Sequence, residues 1–151
     1  MISFAIDRIK YQLQHFPQKF LSIPEKDIYD KPFPNKWSKK EILGHLIDSA
    51  TNNHHRFIRS YLEPGIIKIV PYDQEKWVEL NGYQNIPASE ILNFWIAYNK
   101  HILNFITPIP EAKLTNKFDN GSRDLITLAF LINDYVDHME HHITQILDRS
   151  I

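Results

Sequence analysis

Three of the eight histidines in this sequence fall within five residues, in the stretch Asp134-Tyr135-Val136-Asp137-His138-Met139-Glu140-His141-His142-Ile143-Thr144-Gln145. His138 and His142 stand four apart, and on a helix that spacing puts both imidazoles on one face, one turn apart. Two such nitrogens reach a single metal ion. Two histidines rarely hold a metal by themselves, so a third ligand is expected from another segment. The best candidate is His45, in Trp37-Ser38-Lys39-Lys40-Glu41-Ile42-Leu43-Gly44-His45-Leu46-Ile47-Asp48-Ser49. The chain has no cysteine, which leaves imidazole, carboxylate and water as ligands. For the same reason, a thiol that takes part in the chemistry must arrive with the substrate.

Histidines at this spacing also occur as plain solvated residues, so the elements that carry them matter. Ile2, Ile6, Ile9, Leu13 and Phe16 form a helical stripe over residues 2–16, with Pro17 and Pro24 ending it or bending the chain beyond it. Residues 29–37 carry two prolines and read as an extended connection. Ser38 and Glu41 form a capping box, flanked by a Trp37–Ile42 staple. They open a second helix of about 25 residues, with Ile42, Leu43, Leu46, Ala50, Phe57 and Tyr61 on its buried face, which stops at Pro64-Gly65. The run Ile66–Val70 reads as a buried connection, since no partner strand is evident. Tyr72–Leu80 suggests a short helix ended by Asn81-Gly82. A third long helix opens near Pro87-Ala88-Ser89-Glu90 and continues to Pro108. The fourth comes after the turn Asp119–Ser122, with Ser122 or Asp124 as its cap, and runs to about Arg149.

Four periodic helices without paired strands predict a single all-α domain over residues 1–151, an up-and-down four-helix bundle with room for crossover connections. At about 100° per residue, the apolar arc of the last helix is Leu125, Leu128, Ala129, Ile132, Val136, Met139 and Ile143, with His138 and His142 at its edge. His45 occupies the matching edge of the second helix, with Asn52 and Arg56 continuing its row. His141 is expected to face away, and His15, His54, His55 and His101 have no comparable geometry.

Composition narrows the alternatives. A net charge of -1 gives no electrostatic footprint for nucleic acid or an anionic membrane. No apolar run approaches the roughly 18 residues that span a bilayer, and charges at Asp7, Arg8 and Lys10 come too early for a signal-peptide core, so a cytoplasmic protein is expected. The residue after His138 is not glutamate, so the metalloprotease motif HExxH is absent; the paired Glu-x-x-His motifs of di-iron bundles are absent too. With four glycines there is neither a P-loop, a GxGxxG nor a GxSxG elbow.

The set Trp37-Ser38-x-x-Glu41-x-x-x-His45-Leu46-x-Asp48-Ser49, then Asn52 and Arg56, then Pro71-Tyr72-Asp73-x-x-x-Trp77, then His138-x-x-x-His142, resembles the DinB-like superfamily. Within it, the pattern is most similar to the branch of metal-dependent hydrolases and bacillithiol transferases. The resemblance runs from about residue 20 to 148. It implies a four-helix bundle that binds one divalent ion, zinc or nickel, through His45, His138 and His142. Close relatives often carry an aromatic residue before the first histidine of the last motif and a glycine after it. Asp137 and Met139 stand there in this chain, so substrate identity does not transfer.

Three neutral imidazoles leave coordination positions for water or substrate. The ion can lower the pKa of water to about 7 for hydrolysis, or hold a thiol as thiolate and present it to an electrophile. Transfer of a low-molecular-weight thiol is the favoured reaction, with hydrolysis of a small molecule next. Asp48, one turn from His45, is a candidate acceptor behind a ligand or a general base, against the plain alternative of a surface carboxylate. Arg56 is a candidate holder of an anionic substrate group, against that of a rim salt bridge. The non-enzymatic rival is a bundle with a structural metal, which would need a fourth protein ligand. Large side chains on the first and third helices (Phe16, Phe20, Phe94, Trp95, Phe105), together with the resemblance, suggest a homodimer.

Overall fold

The structure is a computed structural model and describes residues 1–148. In chain order the helices are α1 (Ser3–Leu21), α2 (Glu25–Tyr29), α3 (Lys39–Leu62), α4 (Gln74–Asn81), α5 (Ala88–Ile106), α6 (Glu111–Leu114) and α7 (Leu128–Asp148). Three short strands, β1 (Ile67–Lys68), β2 (Lys117–Asp119) and β3 (Ile126–Thr127), accompany them. The expected end of the last helix at Arg149 lies outside the described residues.

The best-marked helix start holds. The Ser38 hydroxyl accepts from the Glu41 amide at 3.1 Å, and the Glu41 carboxylate accepts from the Ser38 amide at 2.9 Å. Two donors that the first turn would leave open are thereby satisfied. The short helix after Tyr72 also stands, capped by Asp73 and closed by Gly82 in the left-handed conformation at φ 61.

Several expectations are corrected. Pro17 lies inside α1 and does not end it; it forgoes one backbone bond, but Phe16 and Phe20 on either side are buried, and Phe16 packs edge-on to Trp95 at 5.2 Å. That apolar anchoring holds the helix through a residue that disfavours it. Tyr61 is 44% exposed and does not belong to the buried face of α3. The last helix starts at Leu128, after β3: Leu125 precedes it, and the Thr127 hydroxyl caps it by accepting from the Phe130 amide at 3.0 Å, in place of Ser122 or Asp124. The run after Pro64-Gly65 does pair. Ile67 stands opposite Phe118 in parallel register, and β2 continues antiparallel to β3. Both Ile67 and Phe118 are buried, so the small sheet closes one end of the core.

The topology is not a simple up-and-down bundle. α3 packs against α5 and α7, and α1 packs against the same two helices, so α1 lies diagonal to α3 and α5 diagonal to α7. α3 and α7 are antiparallel: the Lys39 ammonium donates to the Ile146 carbonyl, while Phe57 meets Tyr135 further along. α1 and α7 run the same way, since Asn133 reaches Met1 and Arg8 reaches Asp137 and Glu140. The connection from 63 to 87 returns to the start of α3, where Gln84 bonds Ser38 and Lys40. α5 therefore leaves from that end and runs parallel to α3. The full-length crossover is thus the connection after the second long helix, while those after the first and third long helices join diagonal, antiparallel helices.

Candidate metal centre

The antiparallel register of α3 and α7 assembles the histidines. The pairing of Lys39 with Ile146 puts His45 opposite position 140, midway between His138 and His142. The His45 Nε2 lies 3.1 Å from the His138 Nε2, which lies 3.1 Å from the His142 Nε2. His45, His138 and His142 form the one group of three potential ligands among the described residues, with ligand atoms all within 4.8 Å of one another. His45 is fully buried and the other two are partly so.

The outward nitrogens are held differently. The Gln145 amide lies 3.2 Å from the His141 Nε2 through its nitrogen, which turns its oxygen to the His142 Nδ1 at 2.8 Å. An amide oxygen only accepts, so His142 carries its proton on Nδ1 and points an Nε2 lone pair at the cluster. The His138 Nδ1 meets the Ser49 hydroxyl at 3.3 Å, and Asn53 donates to the same oxygen at 3.3 Å. The His45 Nδ1 is buried without a hydrogen-bond partner, and the Trp37 ring lies 4.8 Å from its ring.

Burial and mutual repulsion keep these imidazoles neutral. Burial first, then His138 and His142, pull His45 down to about 3; burial, then His142 and His141, pull His138 down to about 4. His142 is lowered by burial as well. This donor set fits a divalent cation. The His138 Nε2 has one lone pair or one proton and cannot satisfy two facing nitrogens, whereas a cation among the three satisfies all of them. Nitrogens about 2.0–2.1 Å from one ion sit roughly 2.9–3.4 Å apart at right-angled to tetrahedral geometry, and the observed 3.1 Å falls inside that interval.

Two cavities flank the cluster. The larger, about 760 Å³, is lined by Phe33, Trp37, Ile42, Glu75 and His142 among others. The smaller, about 180 Å³, is lined by Ser49, Asn53, Arg56, Tyr72, Asp134 and His138 among others. Gln74 lines the smaller and its neighbour Glu75 the larger, so they open on either side of the start of α4.

Asp48 is buried and lines neither cavity. One of its oxygens accepts from Tyr83 at 2.5 Å and Asn81 at 2.8 Å, while the other has no partner. Burial raises its pKa to about 6, with the two donors opposing. Tyr83 comes this close because residue 44 is glycine: a Cβ there would meet the Tyr83 ring at 2.2 Å. Arg56 is half-buried and lines the smaller cavity. His54 lies outside the three-histidine group, with its ring 5.2 Å from His101 and its Nδ1 3.1 Å from the Tyr98 hydroxyl.

Ser49, Gln145 and Trp37 are site residues that the sequence pattern does not single out as such. Ser49 and Gln145 lie four residues after His45 and three after His142, the spacings at which a helix brings a polar side chain back to the same face. Trp37 stands in the sequence as half of a staple and as the first residue of the family pattern, with no role at the site attached to it.

Proteins with similar sequences and a similar fold are known. A protein of Bacillus mycoides (strain KBAB4) named "Putative metal-dependent hydrolase" is 28% identical over 110 residues, covering 73% of this chain and 62% of that protein. One of Bacillus cereus (strain G9842) with the same description is 26% identical over 147 residues, covering 97% and 83%. The chain thus spans less than two thirds of the Bacillus mycoides relative. Its fold is similar to that of YfiT from Bacillus subtilis, described as "a probable metal-dependent hydrolase with an unusual four-helix bundle topology", at a TM-score of 0.83 and 22% identity over 95% of this chain and 82% of that one. The model of the DinB superfamily matches residues 10–146, and the chain belongs to that superfamily.

Proposed function

We propose that this chain is a metal-dependent enzyme acting on a small molecule, with His45, His138 and His142 as the ligands of one divalent ion, zinc or nickel. The carrying observation is the convergence of three Nε2 atoms from two antiparallel helices at the wall between two cavities. Bound there, a divalent ion supplies Lewis acidity, which brings a coordinated thiol or water near to deprotonation at neutral pH. Gln145 and Ser49 fix the ring orientations, Trp37 covers His45, and the larger cavity receives the body of the substrate. Asp48 is assigned a positioning role for α3, since its carboxylate is bound by Tyr83 and Asn81 and lines neither of the two cavities beside the cluster.

Transfer of a low-molecular-weight thiol to an electrophile is the first reading. Its support is that a zinc-like ion deprotonates a thiol on binding it, in a chain with no cysteine of its own to compete for the site. Hydrolysis is the second, supported by the names of the relatives. The wider reading is a single cytoplasmic domain that forms a homodimer. For the dimer, Phe94 is 54% exposed, whereas Phe16, Phe20 and Trp95 are buried in the core and lend it no support.

The test incubates metal-loaded protein with bacillithiol and monobromobimane. Thiol loss above the uncatalysed rate is expected, and it should vanish in His142→Ala but persist in His15→Ala, on α1 and outside the cluster. Turnover of esters or amides that is indifferent to thiol would put hydrolysis first. No reaction above the metal-free control in either assay would overturn the enzymatic reading.

A further inference from the structure

The smaller cavity is lined by a cation that makes no close ion pair among the described residues. Arg56 lines it, and no ion pair among the described residues includes Arg56. Its guanidinium makes two long contacts, to the Asn53 side-chain oxygen and the Val70 carbonyl, both at 3.5 Å. That is the outer limit of a hydrogen bond, and a guanidinium carries five N–H donors. Burial lowers its pKa, so the group is partly withdrawn from the water that would otherwise solvate it. The Tyr72 ring lies 5.9 Å from the guanidinium carbon and walls one side. A half-buried, incompletely bonded cation facing a cavity is a site for an anion.

The cavity also connects to the histidines. Arg56 contacts Asn53, Asn53 donates to Ser49, and Ser49 meets the outer nitrogen of His138. An anion on Arg56 therefore sits one linked set of side chains away from the three Nε2 atoms. Size and charge select the anion. About 180 Å³ admits a carboxylate with a few attached carbons. Asp134 lines the same cavity, and it and Arg56 each favour the other's charged form, so the positive charge there is partly offset and suits a single negative charge better than a dianion such as phosphate. A planar carboxylate also matches the guanidinium fork, which takes two parallel bonds.

We propose that the cavity beside His138 is a carboxylate-binding subsite, in which Arg56 holds a monoanionic carboxylate of the substrate while the rest of the molecule reaches the three histidines. Its place beside the reacting centre rests on the metal-dependent reading above; the binding of a carboxylate by Arg56 does not.

The experiment is an NMR titration of metal-free and zinc-loaded protein with benzoate, benzamide and inorganic phosphate, tracking the Arg56 Nε–H and the Asn53 side-chain amide. Benzoate should shift both signals saturably in both forms, and benzamide, its neutral isostere, should not. Arg56→Lys should weaken benzoate several-fold and Arg56→Gln roughly tenfold or more, with zinc stoichiometry unchanged in both. Benzoate affinity that survives Arg56→Gln, or that appears only with zinc, would put the carboxylate elsewhere and overturn the assignment. Tighter binding of phosphate or equal binding of benzamide would overturn the class of ligand. If the parent fails to bind zinc, the metal-dependent reading falls while the metal-free titration still decides this one.

Discussion

Two of the three histidines at the centre have a partner on the outer nitrogen, and His45 has none. One helical turn on, Asp48 likewise keeps one oxygen buried and unpartnered. Its other oxygen is gripped by Tyr83 and Asn81, so the carboxylate ties the 74–85 segment to α3 beside the ligand. This role has a measurable titration. Burial raises Asp48 from 3.8 to about 6, so the folded protein holds a proton there that the unfolded chain has released. Stability from this group is full below pH 3.8 and is lost as pH rises through about 6. Asp48→Asn keeps the bonding shape without the charge. The stability of metal-free parent relative to Asp48→Asn should therefore fall as pH rises through that window and level off above it. Comparing the two proteins cancels the depressed histidines, which push the other way. Urea unfolding at a series of pH values reads the difference; a level difference through the window would mean that Asp48 titrates as an ordinary carboxylate.

At the scale of elements, α3 is the most legible part of the sequence, because a capping box, a staple and a long apolar period all mark it locally. The histidine positions are legible for the same reason: a spacing of four has one meaning on a helix. The features that escape a reading of the sequence depend on partners distant along the chain. β1 is two residues long and pairs with Phe118, some fifty positions later, so no local period announces it. Yet that pairing fixes the chain just before Pro71-Tyr72, which walls the smaller cavity. Gly44 is a similar case, since its need is set by Tyr83 across the 3-10 turn Tyr83–Asn85. In an open helix, glycine to alanine gains up to about 1 kcal/mol from propensity. Against a ring at 2.2 Å the clash wins, and Gly44→Ala should lose about 1–3 kcal/mol in urea unfolding and bind zinc more weakly than the parent. A variant more stable than the parent would mean that Tyr83 swings away freely and does not position α3.

For the whole molecule, the topology makes the candidate centre a property of the folded state. His45 and His138 are 93 residues apart, and only the antiparallel packing of α3 on α7 brings them together. The unfolded chain retains the local His138–His142 pair but has no preformed third ligand, so a divalent ion binds the native protein far better than the unfolded chain. Binding of this kind stabilises by mass action, about 2.7 kcal/mol at a free ion concentration 100 times Kd. For a chain of this length, each kcal/mol moves Tm by about 2–4 °C. Zinc or nickel at that excess should therefore raise Tm by about 5–10 °C, and a chelator should reverse the shift. Scanning calorimetry on the parent, His45→Ala and His142→Ala separates the sources of the effect. Both variants should lose most of the shift, because each leaves two ligands, and two imidazoles alone bind a divalent ion weakly. A shift retained in both would locate the ion elsewhere, with the ring pair His54 and His101 the first place to look. No shift in the parent would mean that the three nitrogens converge without holding a metal, and the metal-dependent reading would fall with them.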